Sequence, residues 1–321
     1  MSWSTLSKLF GAAATLFGAW LLFRVLGRYD THEIIGALQK LGTVDVLLAV
    51  LFTVLSFAFL SLGEFAALTH AGQKVGIRRI VRTTVAAIGI GHAIGLAALS
   101  SGAVRYRMYR RAGVHLADLG KVMVFAGLTV MVGMMAVGGI AMLARPGAIA
   151  ELLGWDVLPV RAIGVALLAL TAGYVGLCAL HLRAIRIKKV SLALPGWRLA
   201  LVQLVAGSGN YAAIAACLYA CLRAFADTDY PTVATLYVGA DATALIGHVP
   251  GGWGVLEYVM TAALDQPHLI AGVLVFRTIY YLVPLFVGLA VFAYDEVARL
   301  RQRRSATDKS HPPAAAAGWH R

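Results

Sequence analysis

Apolar residues along this chain form long runs that short polar segments separate. A membrane-spanning helix needs about 20 mostly apolar residues. Six runs meet that length and cover residues 6–26, 44–69, 122–143, 160–182, 199–223 and 269–294. The pattern predicts an all-α integral membrane protein. The first run contains Arg24 and has no small-residue cleavage site, so we interpret it as an uncleaved anchor and not a signal peptide.

The composition excludes several other classes of protein. Of 321 residues, 60% are hydrophobic and only 13% are charged, against about 25% charged residues in ordinary soluble domains. A soluble enzyme, a disordered chain and a secreted disulfide scaffold are therefore excluded. The net charge of +13 is concentrated in short loops between apolar runs. Such loop charge sets membrane topology and does not indicate a nucleic-acid partner.

The distribution of charge predicts the orientation of the spans. Four segments are rich in Lys and Arg: 70–82, 104–121, 183–198 and the tail from 295. Segments poor in Lys and Arg are 27–43, 144–159, 224–232 and 265–268. The positive-inside rule places the first set in the cytoplasm and the second set on the other side. We therefore expect a multi-pass membrane protein with both termini in the cytoplasm.

Two further apolar stretches, 83–103 and 233–264, do not fit as single spans. The first lies between two basic segments, and the second lies between two segments without Lys or Arg. Residues 250–254 read PGGWG, a turn that cannot continue a helix. We interpret both stretches as re-entrant half-helix hairpins that enter from opposite sides. The alternative is two additional full spans.

With two hairpins, the chain divides into two halves of opposite orientation, about 1–150 and 151–304, followed by a disordered cytoplasmic tail, 305–321. Each half contains two spans, a hairpin and a further span. An inverted repeat of this kind is typical of transporters. The two halves share one short sequence motif: G-H-x-x-G occurs at 91–95 and again at 247–251.

Ionisable residues inside apolar segments are costly and mark candidate functional sites. They are Glu64, His92, Asp241, His248, Glu257 and Arg277, with Arg105 and Arg107 at the mouth of the first hairpin. Glu64 has two interpretations: a proton or cation site, or an interfacial partner of a nearby Arg. Arg277 cannot lose its charge and requires Glu257, Asp241 or an anionic ligand. A guanidinium fork matches phosphate oxygens, so a lipid phosphate is a candidate ligand.

The remaining candidates lie at the hairpin turns and at one membrane surface. Gly251 and Gly252 allow a tight turn and the close approach of backbone to a ligand. The sequence RYRMYRR at 105–111 mixes basic and aromatic residues, which suits anionic head groups or a simple interfacial anchor. His92 and His248 lack neighbouring ligands, so we expect no metal. No nucleotide loop or hydrolase signature occurs, so we expect no cofactor and no enzymatic activity.

Three motifs resemble the transmembrane region of the bacterial lysylphosphatidylglycerol synthase/flippase (multiple peptide resistance factor) family. They are GHAIGLAALSSGAVRYR at 91–107, VPGGWGVLE at 249–257 and RTIYYLVP at 277–284. Their order along the chain also matches the family. The resemblance implies a protein that moves an anionic or aminoacylated phospholipid between leaflets. It also implies that Arg105, Glu257 and Arg277 belong to the lipid path, and we include Tyr281 of the third motif.

The full family protein adds further spans and a soluble transferase domain, for which this chain has no room. We therefore expect a stand-alone translocase without lysyl-transfer activity. The alternatives are a subunit of a lipid-modifying enzyme and a non-catalytic membrane scaffold for a lipid-synthesising enzyme. The lipid cargo, which the resemblance extends to hopanoid-pathway lipids, stays open at this point.

Overall fold

The computed structural model describes residues 36, 40–94, 97–180, 184–187, 190–247, 249, 252–264, 266 and 269–310. The described chain is helical apart from one short hairpin. In chain order its elements are α1 (Thr43–His70), α2 (Ile77–Ile94), α3 (Ala97–Tyr109), α4 (Leu116–Ala144), α5 (Gly147–Leu153), α6 (Val157–Ala179), β1 (Ala184–Ile187), β2 (Val190–Ala193), α7 (Trp197–Leu222), α8 (Tyr230–Ile246), α9 (Val255–Leu264), α10 (Leu269–Arg277) and α11 (Val283–Ser310). A π-helical turn, Thr278–Leu282, joins α10 to α11.

Five helical segments are long and apolar enough to cross a membrane. They are α1, α4, α6, α7 and the continuous segment of α10 and α11 over Leu269–Arg299. The prediction of an all-α membrane protein is confirmed, as are five of its six spans; the sixth, 6–26, lies outside the described residues. The antiparallel pair β1 and β2 lies in the basic segment between α6 and α7.

Each of the two anomalous stretches is divided into two shorter helices that contact each other. The first contains α2 and α3, of 18 and 13 residues. The second contains α8 and α9, of 17 and 10 residues. At 13 and 10 residues, α3 and α9 are too short to cross a membrane alone, whereas α2 and α8 lie near the lower limit of about 17 residues. Between α8 and α9 the chain turns at Gly252 and Gly254, whose φ angles of 61° and 81° favour glycine.

The centre of the bundle is built on α7, which packs along both α1 and α4. Glycines allow the closest crossing. A Cβ atom added to Gly133 of α4 would lie 2.1 Å from the carbonyl carbon of Gly207 in α7. Such small residues let helix backbones approach closely inside a membrane. This crossing sets how α1, α4 and α7 are rotated and therefore which polar side chains face one another.

Polar contacts define the two ends of the bundle. At one end, which we call the basic end, Arg107 pairs with Glu296 and Gln73 donates a hydrogen bond to Asp118. At the other end, which we call the opposite end, Arg145 pairs with Asp229. The helix α1 begins at the opposite end, where Asp45 pairs with Arg223, and finishes at the basic end.

The helix α2 runs antiparallel to α11 and lies against it. Arg82, early in α2, lies over the ring of Tyr294, with 5.8 Å between the guanidinium carbon and the ring centre. His92, late in α2, lies beside Tyr281, with ring centres 5.6 Å apart. Between these contacts, Gly89 faces the Pro284 carbonyl, which leaves no space for a Cβ atom.

Candidate functional site

A buried ion pair joins α9 to the end of α10. The Arg277 Nε atom donates to Glu257 Oε1 at 2.5 Å, and Nη2 donates to Oε2 at 3.0 Å. The Arg277 side chain is 1% exposed and the Glu257 side chain is 20% exposed. The bidentate geometry fixes the relative orientation of both planar groups. Of the two partners that the sequence offers, the structure therefore selects Glu257 and not Asp241.

The same pair secures the turn before α9. The Gly254 backbone N–H donates to Glu257 Oε2 at 2.9 Å. Glu257 therefore caps the start of its own helix from the third helical position, as the acidic member of a capping box does. Arg277 also donates from Nη2 to the Gly252 carbonyl at 3.0 Å. Displacing Glu257 from Arg277 would consequently alter the turn as well as the ion pair.

Aromatic rings surround the guanidinium group of Arg277. Its carbon lies 4.3 Å from the centre of the Trp253 ring and 5.5 Å from that of Tyr281. Tyr280 stacks on Phe276 at 5.5 Å with the rings 6° from parallel. A cation over an aromatic face gains additional stabilisation when water is excluded. The Arg277 guanidinium group is thus held between the rings of Trp253 and Tyr281.

The π-helical turn orients Tyr280 toward a second polar group on α1 and α7. The Ser56 hydroxyl donates to Asn210 Oδ1 at 2.7 Å and lies 2.9 Å from the Tyr280 hydroxyl. Because Ser56 has a single proton and donates it to Asn210, the Tyr280 hydroxyl is the donor to Ser56. Turns of the π type interrupt α-helices mainly at functional positions. Here the turn directs Tyr280 and Tyr281 to different partners.

Asp241 of α8 lies on the other side of this aromatic group. It accepts a hydrogen bond of 2.6 Å from the Tyr211 hydroxyl of α7. The Tyr211 ring contacts Tyr237, which in turn contacts Phe276 edge-on. Asp241 is therefore connected to the neighbourhood of Arg277 through aromatic side chains and not by an ion pair.

A second buried ion pair lies nearer the basic end. Arg105 of α3 binds Glu64 of α1 with Nε to the two carboxylate oxygens at 2.9 and 3.1 Å and Nη2 to Oε2 at 3.0 Å. The exposed fractions of the two side chains are 6% and 2%. Of the two interpretations of Glu64, the structure supports a carboxylate paired with an arginine, although a buried one and not an interfacial one.

Arg107 and Arg111 belong to a more exposed ionic cluster at the basic end. Arg107 binds Glu296 of α11 with an Nε to Oε1 distance of 2.6 Å. Arg111 binds Asp295 and also Glu296, the latter at 2.8 Å. These contacts attach the chain just after the 83–103 stretch to the middle of α11. Arg107 thus has a partner at the surface and is not part of the buried cluster around Arg277.

Two cavities open at the opposite end. One has a volume of about 610 Å³ and lies between the end of α7 and the loop at Asp227. The other, of about 720 Å³, is lined by Arg145, Arg161, Asp229 and the end of α9. Neither cavity is lined by Arg277 or Glu257. The Arg277–Glu257 pair therefore does not line either opening.

The structure brings together five of the candidates from the sequence: Gly252, Glu257 and Arg277 in direct contact, with Tyr281 and His92 beside them. His248 and Gly251 lie outside the described residues. Sequence reasoning missed Ser56, Asn210 and Tyr211. An amide inside an apolar span was an available signal for Asn210, whereas Ser56 and Tyr211 are ordinary residues of apolar helices.

The described part of the chain contains no cluster of side chains that would bind a metal ion and no disulfide. There, no three His, Cys, Asp or Glu side chains come close enough to hold a metal ion. The cysteines Cys178, Cys217 and Cys221 are buried and unoxidised. The charged and aromatic side chains around Arg277 are therefore the candidate ligand contacts.

These features define a polytopic helical membrane protein with two buried arginine–carboxylate pairs. Residues 11–288 match the model of the family described as "Lysylphosphatidylglycerol synthase TM region". Because the match covers most of the chain, the protein belongs to this family, and the resemblance derived from the three motifs is confirmed.

Two curated relatives are similar over nearly their whole lengths. The "Uncharacterized protein slr0712" of Synechocystis sp. is 25% identical over 317 residues, which cover 94% of this chain and 97% of the relative. The "Inner membrane protein YbhN" of Escherichia coli is 27% identical over 289 residues, which cover 87% and 89%. Together with the five spans, these similarities establish a membrane location.

Proposed function

We propose that this protein moves an anionic or aminoacylated phospholipid, or a related lipid, between membrane leaflets. The observation that carries the proposal is the buried Arg277–Glu257 pair among apolar helices. An intramembrane ion pair is expensive to maintain and by default marks a functional pathway. The family name and the membrane location of a relative support a role connected with lipids.

The chemistry of Arg277 suits the phosphate of a lipid head group. Its guanidinium fork already holds the two oxygens of Glu257, and phosphate oxygens present the same geometry. A phosphate can therefore compete with Glu257 for the fork, and the displaced Glu257 carboxylate then loses its cation. Trp253 and Tyr281 on the guanidinium faces limit competition by water.

We infer that 83–103 is a re-entrant hairpin that enters from the basic end. Arg82, near the start of α2, contacts Tyr294, and Arg107, near the end of α3, contacts Glu296. These two partners are only two residues apart on α11. Both ends of the stretch therefore lie at one depth, which supports entry and exit on a single side.

The same argument supports a second hairpin at 233–264 that enters from the opposite end. One cavity there is lined both by Thr232, near the start of α8, and by Leu264, the end of α9. The break between α8 and α9 lies deeper, at the turn that Arg277 binds. This arrangement favours two half-helices over two additional spans.

Corresponding contacts support an inverted repeat. In the first half α1 contacts both α2 and α4, and in the second half α7 contacts both α8 and α10. The helix α2 packs on α11 of the second half, and α8 packs on α4 of the first. Two opposed hairpins near the centre would give the bundle the symmetric design of alternating-access transporters.

The orientation follows from charge. Arg107, Arg111 and Arg299 lie at the basic end, which the positive-inside rule assigns to the cytoplasm. We therefore propose a bacterial plasma-membrane protein with cytoplasmic termini. We further propose that it is not an enzyme, that it needs no cofactor and that its partners are membrane lipids, with a lipid-synthesising enzyme as a further partner.

The proposal is tested in vesicles that contain the purified protein and fluorescent phosphatidylglycerol. Dithionite added outside bleaches only outer-leaflet lipid, so translocation appears as bleaching of the inner-leaflet pool. We expect wild type to bleach this pool and Arg277→Ala to leave it protected. Arg79→Ala removes an exposed arginine near the start of α2 and provides the matched control.

A further variant, in which Arg277 and Glu257 are exchanged, separates a role of Arg277 in substrate binding from a structural role. Arg277→Ala leaves Glu257 buried without a cation, so loss of folding must be excluded by the monodispersity and melting temperature of the variant. The exchange Arg277→Glu with Glu257→Arg restores an ion pair but moves the fork. If the exchanged protein translocates like wild type, Arg277 is only structural. If wild type does not exceed empty vesicles with any tested lipid, the translocase proposal is wrong and the scaffold role remains.

A further inference from the structure

Asp241 is half-buried on α8 and differs in its partners from Glu64 and Glu257. Glu64 and Glu257 each bind an arginine in a bidentate pair. Within the part of the chain that the structure describes, no Lys, Arg or His forms an ion pair with Asp241. Its one hydrogen-bond partner there is the neutral hydroxyl of Tyr211, at 2.6 Å.

The side chains nearest Asp241 are uncharged. Tyr211 of α7 donates to it, and the Tyr211 ring contacts Tyr237 of α8. Tyr237 contacts Phe276, which stacks on Tyr280 of the π-helical turn. On the neighbouring helices α9 and α10, Glu257 and Arg277 neutralise each other. The charged groups of α4 and α5 lie toward the helix ends; they are Asp118, Lys121, Arg145 and Glu151.

An ionised carboxylate in such surroundings lacks compensation. Charges buried without a partner are avoided by neutralisation, and a carboxylate neutralises by binding a proton. Glu64 and Glu257 are each bound by an arginine. Of these three carboxylates, Asp241 is therefore the group that exchanges a proton without breaking an ion pair.

We propose that Asp241 binds the proton that crosses the membrane together with an anionic head group at Arg277; this inference rests on the proposed function. The carboxylate takes a proton from water on the side where the lipid enters and returns it to water on the other side. A head group of charge −1 and a proton of charge +1 then cross as a neutral pair. An ionised Asp241 repels the phosphate, whereas a protonated one does not.

Water has a short way to travel to Asp241 from the opposite end. The cavity of about 720 Å³ extends along α8 from Thr232 to Leu236. Leu236 precedes Asp241 by five residues, which is about 7–8 Å along the helix axis and about 140° around it. Water from this cavity therefore reaches the carboxyl group only when α8 or α9 moves.

The test measures how translocation depends on pH. Vesicles receive a short-chain fluorescent phosphatidylglycerol, and albumin extracts the outer-leaflet lipid, a readout that does not depend on pH. The pH is set equal on both sides and raised stepwise. We expect the wild-type rate to fall by up to tenfold per pH unit above the pKa of a single essential acid. Asp241→Asn, which keeps the shape and cannot ionise, is expected to translocate at a rate that pH does not change.

Tyr211→Phe provides a second variant that retains the carboxyl group. In wild type the Tyr211 hydroxyl donates to Asp241 and stabilises its ionised form. Without this hydroxyl, the translocation rate is expected to fall at a higher pH than in wild type. A merely structural role of Tyr211 would change the rate equally at every pH. Infrared difference spectra of the three proteins detect the protonated carboxyl directly, and Asp241→Asn should lack the titrating band.

The outcomes separate the two proposals. If wild type translocates lipid at a rate independent of pH, or if Asp241→Asn keeps the wild-type pH profile, the proton proposal is wrong and the translocase proposal stands. If wild type does not translocate at any pH, the translocase proposal fails and the coupling fails with it. A pH-dependent wild type with a pH-independent, folded Asp241→Asn variant supports both.

Discussion

Arg105 of α3 and Glu64 of α1 form a bidentate ion pair that is almost completely buried. The two residues are 41 positions apart in the chain. The pair attaches the second half of the 83–103 stretch to the first described span. Because both charges are withdrawn from water, each depends on the other for compensation.

Removing one member of this pair should be more harmful than removing both. Arg105→Ala leaves Glu64 buried and uncompensated, which is expected to destabilise the protein by about 3–5 kcal/mol. The double variant Arg105→Met with Glu64→Leu removes both charges and keeps apolar volume, so its cost should be smaller. Thermal unfolding of the purified proteins in detergent measures the difference. Equal losses for the single and double variants would contradict the assigned pairing.

The contact between Gly133 and Gly207 leaves no space for a side chain at either position. Gly207→Ala would place a Cβ atom 2.2 Å from the Thr129 carbonyl oxygen. We expect a loss of at least about 1–3 kcal/mol because backbone must move to admit the methyl group. Gly127→Ala, on the same helix as Gly133 but with open space at its Cβ, is the matched control. It should be neutral or stabilise by about 0.5–1 kcal/mol, again measured by thermal unfolding.

Arg107 and Glu296 provide a test of the contact between α3 and the middle of α11. Reversal of one charge, Arg107→Glu, places two carboxylates together, and the exchange Arg107→Glu with Glu296→Arg restores an attractive pair. Since both side chains are partly exposed, we expect a coupling energy of only about 1 kcal/mol. A double-mutant cycle on unfolding gives this value, and it should shrink at high salt. A coupling energy of zero at low salt would show that the pair does not form.

The start of α8 should show a small dependence of stability on pH. Hydrogen bonds from Thr232 and from the Arg145 guanidinium hold the pKa of Asp229 below its ordinary value. Stability from this group is therefore present above the unfolded pKa of about 3.9 and is lost as pH falls through the lower folded pKa. Asp229→Asn retains an N-cap acceptor but cannot titrate, so the difference in melting temperature from wild type should diminish in acid.

The capping role of Asp229 is tested separately at neutral pH. Asp229 accepts a hydrogen bond of 2.9 Å from the Thr232 backbone N–H. Asp229→Ala should cost about 1 kcal/mol, whereas Asp229→Asn should cost clearly less because its side-chain oxygen can also cap. Melting temperatures of both variants provide the comparison. An equal loss in both would assign the effect to the Arg145 ion pair and not to the cap.

Charged residues of the site could be recognised from the sequence, whereas its small polar residues could not. Arg277 and Glu257 stand out because charges in apolar helices are rare, and their mutual contact agrees with one of the two pairings that the sequence offers. Ser56 and Asn210 do not stand out, since small polar residues occur throughout membrane helices. Their hydrogen bond depends on how α1 and α7 cross, which no local pattern records.

The amino-acid sequence alone determined the membrane class, the positions of five spans and the two interrupted stretches. These follow from hydropathy and from Pro and Gly, which act locally and can be read within about twenty residues. Only the tertiary structure decided that Arg277 binds Glu257, that Arg105 binds Glu64 and that Asp241 has a tyrosine for its partner. The reason is that the spans α1, α4 and α7 are apolar on nearly all sides, so composition does not reveal their rotation. Close backbone contacts such as Gly133 with Gly207 set the rotation and thereby the partners of each buried charge.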